Sequence, residues 1–341
     1  MFGTRYSIVG APMAGGTSTP QLAAAVSKAG GLGSLGAAYL MPAQIAEEIA
    51  QVRQMTDLPF AVNLFMVDRG ELDRDPGPMV EMIAGYHREL GLAPPTLPER
   101  PAVPLEEQMA AVVAARVPVF SYTFGVLERR WVEALREAGT KIVGTATTLE
   151  EAVVLEGAGV DAVIAQGEEA GGHRGTFARS CEESMVPTLE LVRQIKGAVR
   201  VPVIASGGIM DGMGIRAAME AGAEGVQMGT AFIACPESGA PSAFKRAVLT
   251  AEGEPTRVTR AFSGRHARGI VNRVMEEVEA RAGEILPYPW QNALTRGMRS
   301  AAGKMGRAEY LSLWAGRNVR LAREMPAGDL VGVLAREAGL E

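Results

Sequence analysis

The stretch Ala165-Gln166-Gly167-Glu168-Glu169-Ala170-Gly171-Gly172-His173-Arg174-Gly175 concentrates residue types that do chemistry. His173 is one of only 3 histidines in the chain. An imidazole that titrates near neutrality suits proton transfer. The apolar run Asp161 to Ala165 precedes it and predicts a short buried strand. Gly171 and Gly172 carry no Cβ, so the backbone there can bend sharply and approach a flat ligand. A loop held by a rigid strand is where catalytic groups concentrate. The competing reading is a plain glycine turn with a surface histidine, and other strand ends decide between the two.

Those strand ends supply a matching set. Ala11-Pro12-Met13 follows the first apolar run, Asn63 lies in the third, and Gln166, Gly171, Gly172 and His173 follow the sixth. Gly207-Gly208 follows the seventh and Gln227-Met228-Gly229-Thr230 ends the eighth. Gly-Gly and Gly-Thr loops bring backbone N–H groups close to a phosphate. Asn63 and Gln166 offer donors and acceptors suited to the edge of a heteroaromatic ring. Met13 offers a soft apolar surface for a ring face. His87 lies in the proline-rich insertion beside Tyr86 and Arg88, and His266 between Arg265 and Ala267; neither reads as a site residue. Glu168 and Glu169 are adjacent, so their side chains diverge and do not form a carboxylate pair.

The elements that must position this set alternate. Apolar runs near Ile8, Gly33, Val62, Val119, Ile142, Val163, Val203 and Val226 predict eight strands. Helical patterns separate them; Thr19 is a predicted N-cap with Pro20 at the first helical position. Strand-helix alternation implies right-handed βαβ units and a parallel sheet. Eight units close as an α/β (β/α)8 TIM barrel with its site at the C-terminal strand ends. The small-residue loops after strands seven and eight favour the barrel over a doubly wound open sheet, because that is where this barrel builds phosphate sites. Residues 1–252 are expected to form the barrel. A proline-rich insertion, 66–104, has the length of a lid or binding loop. Residues 253–341 are expected to form a helical cap and substrate-binding region. Trp290, Tyr310, Ser312 and Lys304 are its candidate pocket residues.

The totals narrow the function classes. A chain of 341 residues that is 47% hydrophobic can bury a large core. The net charge of −5 argues against nucleic acid or an anionic membrane as partner. The 2 cysteines, Cys181 and Cys235, are far apart and imply neither a disulfide framework nor a zinc site, and no other metal centre is expected. The N-terminus lacks a signal-peptide pattern and no apolar run has membrane-spanning length. A cytoplasmic monomer or homodimer is expected.

Four blocks carry a family resemblance: Gly10-Ala11-Pro12-Met13-Ala14-Gly15-Gly16, Gln166 through Gly175, Gln227-Met228-Gly229-Thr230, and Tyr310-Leu311-Ser312-Leu313-Trp314-Ala315-Gly316. Together they resemble class I nitronate monooxygenases, formerly called 2-nitropropane dioxygenases, over nearly the whole chain. The barrel motifs alone are shared with a wider FMN-binding group; the histidine block with the aromatic block is more specific. The resemblance implies an FMN-dependent barrel that oxidises nitronates, above all propionate 3-nitronate, with O2 and without nicotinamide. It implies flavin contacts at Met13, Asn63, Gln166, Gly171, Gly208 and 227–230, and His173 as the catalytic histidine. A single phosphate site and no Gly-x-Gly-x-x-Gly fingerprint also favour FMN over FAD. Arg317-Asn318 departs from the glutamine that follows the aromatic block in the family. The rival reading is an FMN-dependent enoyl-acyl-carrier-protein reductase using NADH, which shares a Gly-Gly-His loop but usually has Glu where Gln166 stands and lacks the aromatic block.

Overall fold

The computed structural model describes residues 1–67 and 70–341. Asp68 and Arg69, inside the expected insertion 66–104, lie outside the described residues. In chain order the first half runs β1 (Ile8–Gly10), α1 (Pro20–Lys28), β2 (Gly33–Gly36), α2 (Pro42–Met55), β3 (Phe60–Phe65), α3 (Gly77–Glu89), α4 (Leu105–Ala114), β4 (Val119–Thr123), α5 (Arg129–Glu137), β5 (Lys141–Ala146) and α6 (Leu149–Ala158). It continues with β6 (Ala162–Gln166), β7 (Gly172–His173), α7 (Thr188–Lys196), β8 (Val203–Ser206), α8 (Gly212–Glu220), β9 (Gly225–Met228), α9 (Thr230–Ile233) and α10 (Ser242–Leu249). The C-terminal part adds β10 (Thr256–Thr259), β11 (Ala267–Ile270), α11 (Arg273–Glu279), α12 (Trp290–Met305) and α13 (Ala327–Ala338).

Eight parallel strands pair in the order β1-β9-β8-β6-β5-β4-β3-β2. The ring closes where Val9 bridges Leu32, with the Gly10 and Leu32 N–H groups donating to the Leu32 and Ile8 carbonyls at 2.9 Å each. This is the (β/α)8 TIM barrel. Val9, Leu32, Ala61, Val143, Ile164 and Ile204 share one of its buried clusters. A larger apolar shell joins strands to surrounding helices. Thr19 caps α1 by accepting the Leu22 N–H at 3.0 Å, with Pro20 at the first turn. Pro42 opens α2 in the same way.

The ring of outer helices is completed by α13 rather than by α10, the helix that follows the last barrel strand. α13 packs between α1 and α8, and the Glu337 carboxylate accepts the Gly212 N–H at 3.0 Å. α10 joins α3, α11 and α12 in a separate core around Met79, Ile83, Phe244, Phe262, Met298 and Tyr310. The insertion therefore packs against the C-terminal residues. That part is also not purely helical: β10 and β11 form a three-stranded antiparallel sheet with β7. Ala267 pairs with His173 in it.

Candidate active site

The C-terminal strand ends open into a cavity of about 710 Å³, within the roughly 300–1,000 Å³ of small-molecule sites. The residues predicted at the strand ends all line it. Ala11, Pro12 and Met13 come from β1, Asn63 from β3, and Gln166, Gly171, Gly172 and His173 from β6 and β7. Gly207 and Gly208 follow β8, and Gln227, Met228, Gly229 and Thr230 close the set from β9. Ser312 and Lys304 also line the cavity. Trp290 and Tyr310 are not among its lining residues, which corrects their expected placement. The Tyr310 side chain is fully buried in the cap core, its hydroxyl between Glu89 and Arg273. The Trp290 indole donates to the Gly70 carbonyl at 2.9 Å.

Local chemistry fixes the histidine loop. Gln166 Nε2 donates to the His173 carbonyl at 3.0 Å, and its Oε1 accepts the Gly175 N–H at 2.8 Å. The Gln166 amide is thus a clip across the loop, with one N–H left for a ligand. Arg174, also fully buried, donates to the Gln166 and Ser184 carbonyls at 3.2 and 2.9 Å. It is structural. Gly171 is glycine because the chain returning from the cap lies against it: a Cβ there would sit 2.6 Å from the Ala315 carbonyl carbon and the Gly316 nitrogen. The Glu168 and Glu169 side chains do diverge, the first to Arg317 and the second to Thr188.

His173 stands in an aromatic cage. Ring centroids of Phe65 and Phe124 lie at 5.9 Å, Trp314 at 5.7 Å and Tyr288 at 6.1 Å. Its Nε2 lies 2.9 Å from Ser263 Oγ. The Arg265 guanidinium stacks 3.8 Å above the Phe124 ring. Burial, reinforced by the positive charges of Arg265 and Arg299, pushes the imidazole down to about 3. The ring is therefore neutral at physiological pH and can accept a proton or a hydrogen bond, but as a weaker base than the near-neutral imidazole expected from the sequence. His87 and His266 stay outside the cavity lining. His87 is buried with Nδ1 on the Ala93 carbonyl, and His266 faces Glu182.

The charged side chains lining the cavity are all cationic: Arg296, Arg299 and Lys304, with no Asp or Glu among the described lining residues. Arg299 donates only to neutral acceptors, Asn292 Oδ1 at 2.7 Å, the Asn292 carbonyl at 3.0 Å and Thr295 Oγ1 at 3.2 Å. Burial lowers its guanidinium to about 10, so it stays charged near neutrality. Tyr39 lines the cavity beneath Arg296, its phenol raised by burial and therefore protonated. Tyr39, Ser263 and Arg265 were not legible as site residues from local sequence. Arg296, Arg299, Ser300, Gly303 and Lys304 recur at helical spacing, so one polar face of α12 was there to be read.

The donor set suits a flavin mononucleotide. The backbone N–H groups of Gly208, Gly229 and Thr230 have no partner among the described residues. They offer an anion cradle. Across the cavity Asn63 donates to Ser121 Oγ at 3.0 Å, leaving its carbonyl oxygen for a ring edge.

The barrel and the neutral histidine at its mouth define a (β/α)8 enzyme that works on a small molecule at the strand C-termini. The model of the family described as nitronate monooxygenase matches residues 2–337. The chain belongs to the nitronate monooxygenase family, which is a family of flavin-dependent oxidoreductases. It is 40% identical over 341 residues to a probable nitronate monooxygenase of Staphylococcus saprophyticus, covering 99% of this chain and 96% of that one. A probable nitronate monooxygenase of Staphylococcus aureus is 42% identical over 333 residues, 97% and 94% of the two chains. The crystal structure of nitroalkane oxidase from Streptomyces ansochromogenes superposes with a TM-score of 0.92 at 44% identity, over 99% of this chain and 96% of that one. FabK from Thermotoga maritima gives 0.78 at 31% identity, over 98% and 93%. No helix among the described residues is long and apolar enough to cross a membrane.

Proposed function

We propose that this protein binds FMN in the barrel mouth and oxidises alkyl nitronates with O2 to the carbonyl compound plus nitrite or nitrate. The observation that carries the reading is a neutral His173 in a cavity whose charged side chains are all cationic. When bound, the flavin supplies the electron-accepting chemistry, and the protein binds and polarises. The free N–H groups of Gly208, Gly229 and Thr230 would hold the phosphate, and Asn63 and Gln166 the ring edge. For a neutral nitroalkane, His173 accepts the α-proton. A nitronate arrives without that proton, so no proton transfer to His173 is needed. Arg299, Arg296 and Lys304 attract the anion and favour a substrate with a second negative group, such as propionate 3-nitronate. The aromatic cage excludes water from the reacting centre.

The test is anaerobic mixing of the purified protein with propionate 3-nitronate and, separately, with NADH. Bleaching of the flavin by the nitronate and not by NADH is the expected result. Rapid bleaching by NADH alone would replace this reading with the enoyl-acyl-carrier-protein reductase one, the rival that shares a Gly-Gly-His loop.

A further inference from the structure

The segment after Trp314 meets three strand-end loops through three consecutive residues, Gly316, Arg317 and Asn318. The Gly316 N–H donates to Thr230 Oγ1 at 2.9 Å in the β9 loop. The Arg317 N–H donates to the Glu169 carbonyl, and its guanidinium to Glu168 Oε1, both at 2.9 Å, in the loop after β6. Asn318 Nδ2 donates to the Gly208 carbonyl at 2.7 Å in the loop after β8. The loops after β8 and β9 carry the unpartnered N–H groups of the anion cradle, and Asn318 itself lines the cavity. Its amide spends one of two N–H bonds on Gly208. The second N–H and the carbonyl oxygen have no partner among the described residues. The side chain is neutral, so it adds a donor without a counter-charge that would compete for Arg or Lys.

We propose that Asn318 is a ligand of the cofactor phosphate, its amide bridging the Gly208 carbonyl and the phosphate oxygens. The strap 314–318 then forms the outer wall of the phosphate site. This rests on the mononucleotide reading above. It also gives a role to the Arg317-Asn318 pair: Arg317 pins the strap to the β6 loop, and Asn318 turns its amide inward.

Titration of the full-length, flavin-stripped chain with FMN and with riboflavin, by fluorescence quenching, tests the assignment, because riboflavin lacks only the phosphate. Asn318→Ala should raise the FMN dissociation constant on the order of tenfold, the scale of a lost hydrogen bond to a charged group. Asn318→Asp should raise it further by setting like charges together. Riboflavin binding should stay within about twofold in both variants, since no contact to the ring system changes. Equal weakening of both flavins would make Asn318 a strap-holding residue only, and no change in either would remove it from the site. Either result overturns the assignment while FMN preference in the wild type keeps the mononucleotide reading. A wild type that binds FMN and riboflavin alike would overturn both.

Discussion

His173 Nε2 and Ser263 Oγ are 2.9 Å apart, and the serine is otherwise fully committed. Its hydroxyl donates to the Arg265 carbonyl at 3.0 Å and its oxygen accepts the Arg265 N–H at 3.3 Å. With the donor used and one lone pair filled, the remaining lone pair accepts from His173. The hydrogen-bond network thus assigns the proton to Nε2 and leaves the lone pair on Nδ1. Gly264 makes the arrangement possible. Its φ is +83°, and a Cβ there would lie 2.3 Å from the Leu286 carbonyl oxygen, so only glycine lets the flanking residues both turn toward His173.

The first prediction follows from that orientation. His173→Asn should lower kcat/KM for a neutral nitroalkane on the order of 10² or more, as expected for loss of a general base. For the preformed nitronate the loss should be smaller, because no proton has to be removed. Ser263→Ala should reproduce part of the nitroalkane loss while retaining flavin. Equal losses for both substrates in His173→Asn would show that His173 acts in binding rather than in proton transfer.

A second prediction concerns pH. His173 is held at about 3 against an ordinary 6.5, by burial first and by Arg265 and Arg299 next. Between these values the unfolded chain takes up a proton that the folded site refuses. Stability should therefore fall as pH drops below 6.5 and stop falling, on this account, near 3. The acid limb of kcat/KM for a neutral nitroalkane should lie well below 6.5. Arg265→Gln removes a repelling charge and should move that limb upward without reaching the ordinary value, because burial remains. An unmoved limb in a folded Arg265→Gln protein would mean that the guanidinium is too well screened to act on His173.

The barrel was legible in the sequence because its signals are local: apolar runs, caps such as Thr19-Pro20, and glycine loops at strand ends. The cavity-lining residues at the strand ends were legible for the same reason, since a strand end in a barrel has only one place to point. The surroundings of His173 were not. Ser263 and Arg265 reach it because β11 pairs with β7 across 94 residues of chain, from His173 to Ala267. Nothing near either segment announces that pairing. Tyr310 was misplaced for the opposite reason. Its block looked like a pocket wall, but Glu89 and Arg273 bind its hydroxyl inside the cap and turn it from the cavity.

A third prediction tests the close approach between loop and strap. Gly171→Ala should displace Ala315 and Gly316, with a cost of about 1–3 kcal/mol as for overpacking elsewhere. The loss should appear as a lower Tm and weaker flavin retention together. A variant with wild-type Tm and flavin content would show that the strap moves aside freely.

The last prediction concerns the substrate's remote end. Arg299 is cationic near neutrality, half-buried in the cavity wall with its guanidinium lowered to about 10, and bonded only to uncharged acceptors. A partly desolvated charge without a counter-ion costs free energy that a bound anion restores. A charge-assisted hydrogen bond to a carboxylate is roughly twice as strong as a neutral one. Arg299→Met should therefore raise KM for a carboxylate-bearing nitronate by on the order of 10-fold or more. A simple alkyl nitronate of similar length should suffer less, because it lacks the second anion. Comparing the two substrates cancels any effect on the nitronate group they share. The preference for the carboxylated substrate should also weaken with ionic strength in the wild type, since Arg296 and Lys304 are exposed at the cavity mouth. If Arg299→Met costs both substrates equally, the guanidinium serves the nitronate group or the flavin. If it costs neither, the charge is structural and the carboxylate is held elsewhere.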